Sequence, residues 1–211
     1  MREGFLRIIS GSIMGIVMLN FIYCSGVLFC FSFLFALAIL MAFEWGDIVK
    51  DAEHPTKWHL LGVAYIVASL LPIIILKFNR FKGNHLLMWM FILIWSTDTF
   101  AYVVGHLWNL GEHKISNISP TKSYEGLLGG MFFALVFCCI FSHIYLPEYE
   151  YSLLYCTPLL CCLEQMGDFT ESYVKRRFGV KDSGNMIPGH GGFMDRFDGL
   201  LYVTPALLIL I

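Results

Sequence analysis

The residues best suited to chemistry lie in one polar segment, 167–198, of an otherwise apolar chain. If the preceding helix continues into this segment, one helix face carries two carboxylates, a hydroxyl and an ammonium within an arc of about 80°. These groups belong to Glu164, Asp168, Ser172 and Lys175. Because an uncompensated carboxylate near a membrane boundary is costly, Asp168 is predicted to have a cation or a basic side chain as its partner. The alternative is a solvated helix end with an Asp168–Lys175 pair.

A glycine-rich segment, 179–192, follows this predicted helix and excludes a regular helix over most of its length. Successive backbone N–H groups in such a loop can form a concave nest that binds anions. The basic residues around it supply the positive charge that a triphosphate requires, and they are Lys175, Arg176, Lys181 and Arg196. Within the loop, His190 either donates a hydrogen bond to phosphate or stabilises a turn.

Two further carboxylates follow the loop, because Asp195 and Asp198 lie three residues apart with Arg196 between them. They share one side of any helix that begins there. Together with Asp168 they offer hard oxygen ligands without a Cys or His cluster beside them, a combination that favours Mg²⁺ over zinc. Mg²⁺ keeps several waters and is shared with substrate phosphates, so two aspartates from separate segments are sufficient.

A second polar cluster lies upstream. Asp98 interrupts an apolar span, and an acidic residue inside a membrane is by default a functional candidate. The alternative is a helix-packing residue bonded to Thr97, Thr99 or a neighbouring helix. Lys122 precedes the next span, where it contacts phosphate or anchors the chain at the level of the lipid headgroups.

The elements that position these residues are predicted to be membrane helices. The chain has 211 residues, of which 57% are hydrophobic and 14% are charged, a balance outside that of a soluble domain. A helix needs about 20 residues to cross the hydrocarbon core, and about seven apolar runs approach that length. They are 5–23, 27–43, 58–76, 86–104, 126–146, 151–166 and 199–211. We therefore expect an all-α, polytopic membrane protein.

Charge distribution predicts the orientation of these spans, because short cytoplasmic loops are enriched in Lys and Arg. With seven alternating spans, one side carries Arg2, Arg7, Lys50, Lys57, Lys114, Lys122, Lys175, Arg176, Arg177, Lys181 and Arg196. The other side carries Lys77, Arg80 and Lys82. The N-terminus and the polar segment are therefore expected to face the cytosol. No basic stripe suggests a nucleic-acid partner.

The chain shows no internal repeat and no appended soluble domain, so a single membrane domain over 1–211 is expected, with an N-terminal helical part at 1–84 and a catalytic part at 85–211. The segment 45–57 is predicted to be a solvated connector. Glu44 is left without a role, since it could equally extend its carboxylate to the membrane interface.

The polar segment resembles a known signature. From Ser172 to Asp198 the chain reads SYVKR, four residues, KDSG, two residues, IPGHGGFMDRFD. This matches, position for position, the signature of the phosphatidate cytidylyltransferases, also called CDP-diacylglycerol synthases. Upstream, DTxAYxxG from Asp98, SPxK from Ser119 and EG at Glu125 resemble that family's second block. Departures occur at His106, where members commonly have Arg, and at Ser123 and the following Tyr, where Thr-Trp is usual.

This resemblance implies transfer of CMP from CTP to phosphatidate, which gives CDP-diacylglycerol and pyrophosphate in phospholipid synthesis and requires Mg²⁺. A second, monovalent cation is left open. The resemblance also implies a homodimer surrounded by membrane lipids, in a bacterial inner membrane with the active site on the cytoplasmic side. Phosphate attack needs no strong general base, so none is assigned.

The resemblance assigns roles to residues as well. The metal ligands it implies are Asp168, Asp195 and Asp198. The catalytic groups are Asp168, Lys175, Arg176, Asp195 and Arg196. The substrate-binding groups are Asp98, Lys122, Ser172, Lys181, Asp182, His190, Gly191 and Gly192.

Besides a noncatalytic membrane scaffold, which would be favoured only if the aspartates were dispensable, two alternatives remain at this point. The first is a related cytidylyltransferase that acts on another lipid phosphate, such as a polyprenyl-type phosphate or an archaeal ether lipid. The second is a cation-coupled transporter that uses Asp98 and Glu164, which would predict inverted repeats with broken helices.

Overall fold

The computed structural model describes residues 2–24, 26–79, 82–108 and 122–211. Across these ranges every regular element is a helix. The helices are α1 (Arg2–Tyr23), α2 (Val27–Val49), α3 (Pro55–Lys77), α4 (Gly83–Leu107), α5 (Tyr124–Tyr145), α6 (Glu150–Arg177), α7 (Met194–Phe197) and α8 (Leu200–Leu210). The basic residue at 114 and the Ser-Pro pair at 119–120 lie outside the described residues.

Four of these helices, α2 to α5, are long and apolar enough to cross a membrane. The apolar part of α1, Ile9–Tyr23, is shorter. Helix α6 has 28 residues but ends in three basic ones, and α8 has 11 residues. The chain is thus an all-α membrane protein, as predicted, while the count of seven spans stays a prediction.

Helices α4 and α5 form the most extensive contact, and α6 packs against both α5 and α8. Helix α3 packs on α8 and on α2. At the α6–α8 contact, a Cβ on Gly167 would clash with the backbone carbonyl of Asp198. The small residue therefore lets the short turn between α7 and α8 lie directly on α6.

Helix α6 continues from the apolar run 151–166 into the polar segment, as predicted, and ends at Arg177. Gly179 has a φ of 73°, its N–H donates to the carbonyl of Arg176, and the N–H of Val180 donates to that of Lys175. This is the Schellman pattern of a helix C-terminus, in which a left-handed glycine reverses the chain. The reversal directs the glycine-rich loop back towards the helix that carries Asp168.

At the opposite end of the helices, Lys77, the last residue of α3, connects α3 to α1. Its side chain is buried, and its ammonium donates to the carbonyls of Phe21 and Ile22 at distances of 2.7 and 2.8 Å. The last carbonyls of a helix have no partner within the helix and attract cations. Lys77 therefore fixes the C-terminal end of α1 against α3.

The boundary of α2 corrects one prediction. The segment 45–57 is not a solvated connector in its first part, because α2 continues to Val49 and buries Trp45 and Ile48. The indole of Trp45 donates to the carbonyl of Trp58 at 2.8 Å, so the helix end packs against α3.

Candidate active site

The polar face of α6 is arranged as predicted, but its partners differ. The hydroxyl of Ser172 donates to Asp168 at 3.2 Å. The predicted alternative of a solvated Asp168–Lys175 pair is wrong in this structure, because Asp168 pairs with Lys122 and Lys175 pairs with Asp195. Two ion pairs therefore join α6 to two other segments of the chain.

Lys122 enters the site from the start of α5. Its ammonium contacts the carboxylate of Asp168 and donates to the side-chain oxygen of Gln165 at 2.9 Å. It also lies 4.7 Å from the ring centroid of Phe169. The side chain is 18% exposed, so it is directed into the protein and not towards the lipid headgroups.

Asp195 connects α6 to the glycine-rich loop. Its carboxylate accepts from the ammonium of Lys175 at 2.5 Å, from the N–H of Ser183 at 3.0 and 3.2 Å, and from the N–H of Gly192 at 2.9 Å. Burial raises the pKa of Asp195, but Lys175 and the two N–H groups outweigh it and hold that pKa below its ordinary value. The ionised carboxylate therefore organises the loop.

Glu44 of α2 is a residue that the sequence analysis missed. It is 1% exposed, and its carboxylate accepts from the hydroxyl of Ser183 at 3.1 Å and from the N–H groups of Phe193 and Met194 at 2.8 and 2.9 Å. The interpretation of a side chain extending to the interface is wrong, because the carboxylate is turned inward. Its nearest partner is 139 residues away in sequence, so no local pattern could reveal the contact.

Glu171 was also missed, although helical geometry could have found it. At 100° per residue it lies about 20° from Glu164 on the same helix face. It is 1% exposed, and neither of its oxygens accepts a hydrogen bond from the described residues. The ammonium of Lys175 lies 3.3 Å away. A buried carboxylate with one such contact is under-satisfied.

Asp198 adds another carboxylate to this region. Burial, and then the neighbouring carboxylates of Glu171 and Asp168, raise the pKa of Asp198 well above its ordinary value. The N–H of Gly199 donates to it at 2.8 Å. Several carboxyl groups are therefore crowded together where α7 meets α6.

Asp98 approaches the same region from α4. Its side chain lies beside Glu164, within hydrogen-bonding reach. The positive charges of Lys122 and Arg196 act on its carboxylate. The amide of Gln165 donates to Glu164 at 2.7 Å. The upstream cluster and the polar segment therefore meet in one site, as the resemblance implies.

The outer side of the loop carries the other predicted residues. Arg176 is exposed and donates to the carbonyl of Val180 at 3.1 Å, while Lys181 and Asp182 are exposed. Gly191 has a φ of 85°, and its carbonyl accepts from the N–H of Ile187 at 2.9 Å. The loop therefore presents basic groups to solvent above the Lys175–Asp195 pair.

His190 is fixed by α1. Its Nδ1 lies 2.8 Å from the hydroxyl oxygen of Ser10. That hydroxyl is also within hydrogen-bonding distance of the carbonyls of Pro188, at 3.0 Å, and Leu6, at 2.8 Å, and its single hydrogen serves one acceptor at a time. The N–H of His190 donates to the carbonyl of Ile187 at 3.0 Å, which closes a turn. Of the two predicted roles for His190, this geometry supports the turn-stabilising one.

The donor set fits a hard divalent cation without forming a complete cage. Among the described residues, no group of three Cys, His, Asp or Glu side chains is placed to hold a metal by itself. Mg²⁺ needs only one or two carboxylates when waters and phosphates complete its shell. Asp198 fits that need beside the under-satisfied Glu171, and Asp168 fits it once it releases Lys122 or Ser172. Asp195 would first have to release hydrogen bonds, because its oxygens are already occupied.

This arrangement can bind phosphates and neutralise their charge. Ammonium and guanidinium groups lie next to carboxylates at one end of the helix bundle, beside a loop rich in backbone N–H groups. The chemistry that fits is transfer between phosphates, controlled by position and charge.

Comparisons with known proteins agree with this chemistry. A model of the cytidylyltransferase family matches residues 56–211. Over 156 residues the chain is 39% identical to the phosphatidate cytidylyltransferase of Staphylococcus aureus (strain COL). The aligned region covers 72% of this chain and 57% of that protein. Over 122 residues it is 48% identical to the phosphatidate cytidylyltransferase of Bacillus subtilis (strain 168). This second aligned region covers 57% of this chain and 45% of that protein. The chain thus spans about half the length of these curated relatives.

Proposed function

Because the chain belongs to the cytidylyltransferase family, we propose that it transfers CMP from CTP to phosphatidate and releases pyrophosphate. The observation that carries the proposal is the joining of the Lys175–Asp195 and Lys122–Asp168 pairs in one site within the matched region. The named relatives are phosphatidate cytidylyltransferases, which supports phosphatidate as the acceptor.

In the proposed reaction, a phosphate oxygen of phosphatidate attacks the α-phosphorus of CTP. A new P–O bond forms there, and the bond from the α-phosphorus to the oxygen that bridges it to the β-phosphorus breaks, so that pyrophosphate leaves. The nucleophile is already ionised, so no side chain has to remove a proton. The task of the protein is to bring two anions together and to hold them in line.

The basic residues of this chain supply that neutralisation. Lys122 and Lys175 are already held in place by carboxylates, so their ammonium groups need little reorganisation when phosphates arrive. Arg196 lies between Asp195, which belongs to α7, and Asp198, which follows the C-terminal end of α7. We assign Arg176 and Lys181 to the incoming triphosphate, and their exposure to solvent on the outer side of the loop supports this assignment.

Mg²⁺ is part of the proposal. Asp168 and Asp198 would hold it, and the assignment of Asp195 stays a prediction for the reason given above. When bound, the ion would stabilise the charge that develops on the pyrophosphate leaving group. Removal of Mg²⁺ with EDTA is expected to abolish turnover. Binding can be followed separately from activity by the electron paramagnetic resonance of Mn²⁺, with Asp168→Asn expected to bind it more weakly.

The central experiment measures CTP-dependent formation of CDP-diacylglycerol by the purified protein in detergent. We expect Mg²⁺-dependent turnover with phosphatidate, and losses of at least about 100-fold in Asp168→Asn and Asp195→Asn. Asp51→Asn, at an exposed position between α2 and α3, is the matched control and should be unaffected. Turnover with a polyprenyl phosphate but not with phosphatidate would reassign the acceptor, and wild-type rates in both variants would remove their roles.

Orientation and assembly belong to the same proposal. The site faces the cytosol of a bacterial inner membrane, and the enzyme works as a homodimer. A cysteine introduced by Asp182→Cys, in a background with Cys24→Ser and Cys162→Ser, should react with an impermeant reagent only in inverted vesicles. The mass of the detergent-solubilised protein should correspond to two chains, and a monomeric active enzyme would contradict the dimer.

A further inference from the structure

A large apolar cavity lies between α1, α2, α4 and the segment that leads from α7 into α8. Its volume is about 540 Å³, within the range of small-molecule sites. Gly15 and Val17 line it from α1, Leu37 from α2, and Trp95 from α4. Because α2 and α4 are long enough to span the membrane, the cavity lies at the depth of the hydrocarbon chains.

One end of the cavity is charged. Arg196 is the only charged residue among those that line it in the described part of the chain, and it stands between the lining residues Phe193 and Phe197. Arg196 also lies within electrostatic reach of Asp98. The cavity therefore runs from hydrocarbon depth to the candidate active site and ends there at a guanidinium group.

A cavity with apolar walls and a single guanidinium group is suited to a ligand that has an apolar part and an anionic group. The apolar part needs no polar partner, and a guanidinium binds a phosphate through two parallel N–H bonds. The cavity is only partly enclosed, and its lining residues Ile13 and Val17 on α1 are 55% and 37% exposed, which leaves room for a lipid to enter from the side of α1.

We propose that this cavity holds the hydrocarbon chains of the lipid-phosphate acceptor and that Arg196 contacts the acceptor's phosphate. The inference rests on the proposed function and adds the position of the acceptor. It assigns Arg196 to the lipid and leaves Lys175 and the outer loop residues for CTP. It also gives α1 and α2, which lie outside residues 56–211, a part in substrate binding.

Gly15→Phe tests the position of the chains. A Cβ at Gly15 meets no atom within 4 Å, and glycine is a poor helix former, so the larger side chain enters the cavity without unfolding α1. With saturating CTP, KM for dioleoyl phosphatidate should rise at least about tenfold, since a few displaced methylenes suffice for that factor. KM for dihexanoyl phosphatidate should rise less, and KM for CTP should stay unchanged.

Ile16→Phe is the matched control, because Ile16 neighbours Gly15 on α1, is 67% exposed and does not line the cavity. It should behave like the wild type with both lipids. An unchanged KM for the long-chain lipid in Gly15→Phe, or an equal rise for both chain lengths, would overturn the proposal.

A binding experiment separates this proposal from the proposed function, because it needs no turnover. The fluorescence of Trp95 is the part of the tryptophan emission that is lost in Trp95→Phe. Phosphatidate with brominated chains should quench this Trp95 fluorescence more strongly than brominated phosphatidylcholine does. Gly15→Phe should abolish that quenching, and Arg196→Gln should abolish the preference for phosphatidate. Equal quenching by the two lipids would mean that ordinary bilayer lipid fills the cavity, and would refute the assignment even in an active enzyme.

Discussion

Replacing Glu44 by glutamine tests whether α2 positions the segment that carries Asp195. The carboxylate of Glu44 accepts the N–H of Phe193 on one oxygen, and the N–H of Met194 and the hydroxyl of Ser183 on the other. Glutamine has the same shape but turns one of these oxygens into a donor. In its better orientation the amide keeps two of the bonds and leaves the Phe193 N–H facing an NH₂ group.

The magnitude follows from that count. A buried donor without a partner costs about 1–3 kcal/mol, and bonds to a charged acceptor are worth about 1.5–3 kcal/mol against about 1 kcal/mol for neutral ones. Glu44→Gln should therefore weaken docking of the segment by at least about 2 kcal/mol, which is about a 30-fold change in the opening equilibrium.

Hydrogen exchange measures this opening directly. The amides of Phe193 and Met194 should exchange about 30-fold faster in Glu44→Gln than in the wild type, because they are released by local opening. The rate of CDP-diacylglycerol formation should fall in the same variant, since Asp195 and Arg196 lie on the released segment. Glu53→Gln, the same change at an exposed position, should alter neither quantity. Unchanged exchange at Phe193 and Met194 would refute the role given to α2.

Three further predictions concern the contacts of α6. In a double-mutant cycle of Lys175→Met and Asp195→Asn, the losses in kcat/KM should be strongly non-additive, with a coupling of about 1–3 kcal/mol, and additive losses would contradict the pair. Gly167→Ala should lower the free energy of unfolding by about 1–3 kcal/mol in denaturant titrations, because its Cβ meets backbone, whereas Gly46→Ala has open space and should be neutral or stabilising. Glu171→Gln should reduce kcat more than it reduces stability, and a fall in stability alone would make Glu171 structural.

Local patterns were sufficient to predict the α6 face. The 100° step of a helix places Asp168, Ser172 and Lys175 together, and the helix does continue far enough to carry them. The same step would have included Glu171. Helical periodicity does not indicate which residue each charged side chain pairs with. The structure was needed to show that Asp168 pairs with Lys122 and Lys175 pairs with Asp195, and not with each other.

Long-range contacts limited the rest of the prediction. Glu44 and Ser10 meet the loop across 139 and 178 residues, respectively, through single side chains that have no repeating pattern. Their surroundings in sequence are apolar, so a lone polar residue there looks like a helix end or a packing residue. The loop itself was predictable as irregular, whereas its fixation by the two N-terminal helices was not.

The contact of Lys77 with α1 has a consequence for shortened forms of the protein. Helix α1 is held at two points, by Lys77 at the carbonyls of Phe21 and Ile22 near its C-terminal end and by Ser10 at the turn of Pro188, about 16 Å apart along the helix. Deleting α1 would leave a buried ammonium without these two acceptors and the turn at Pro188 without the hydroxyl of Ser10. The first helix therefore acts as a brace, and trimming the chain to the family-matched region should cost both stability and order in the loop.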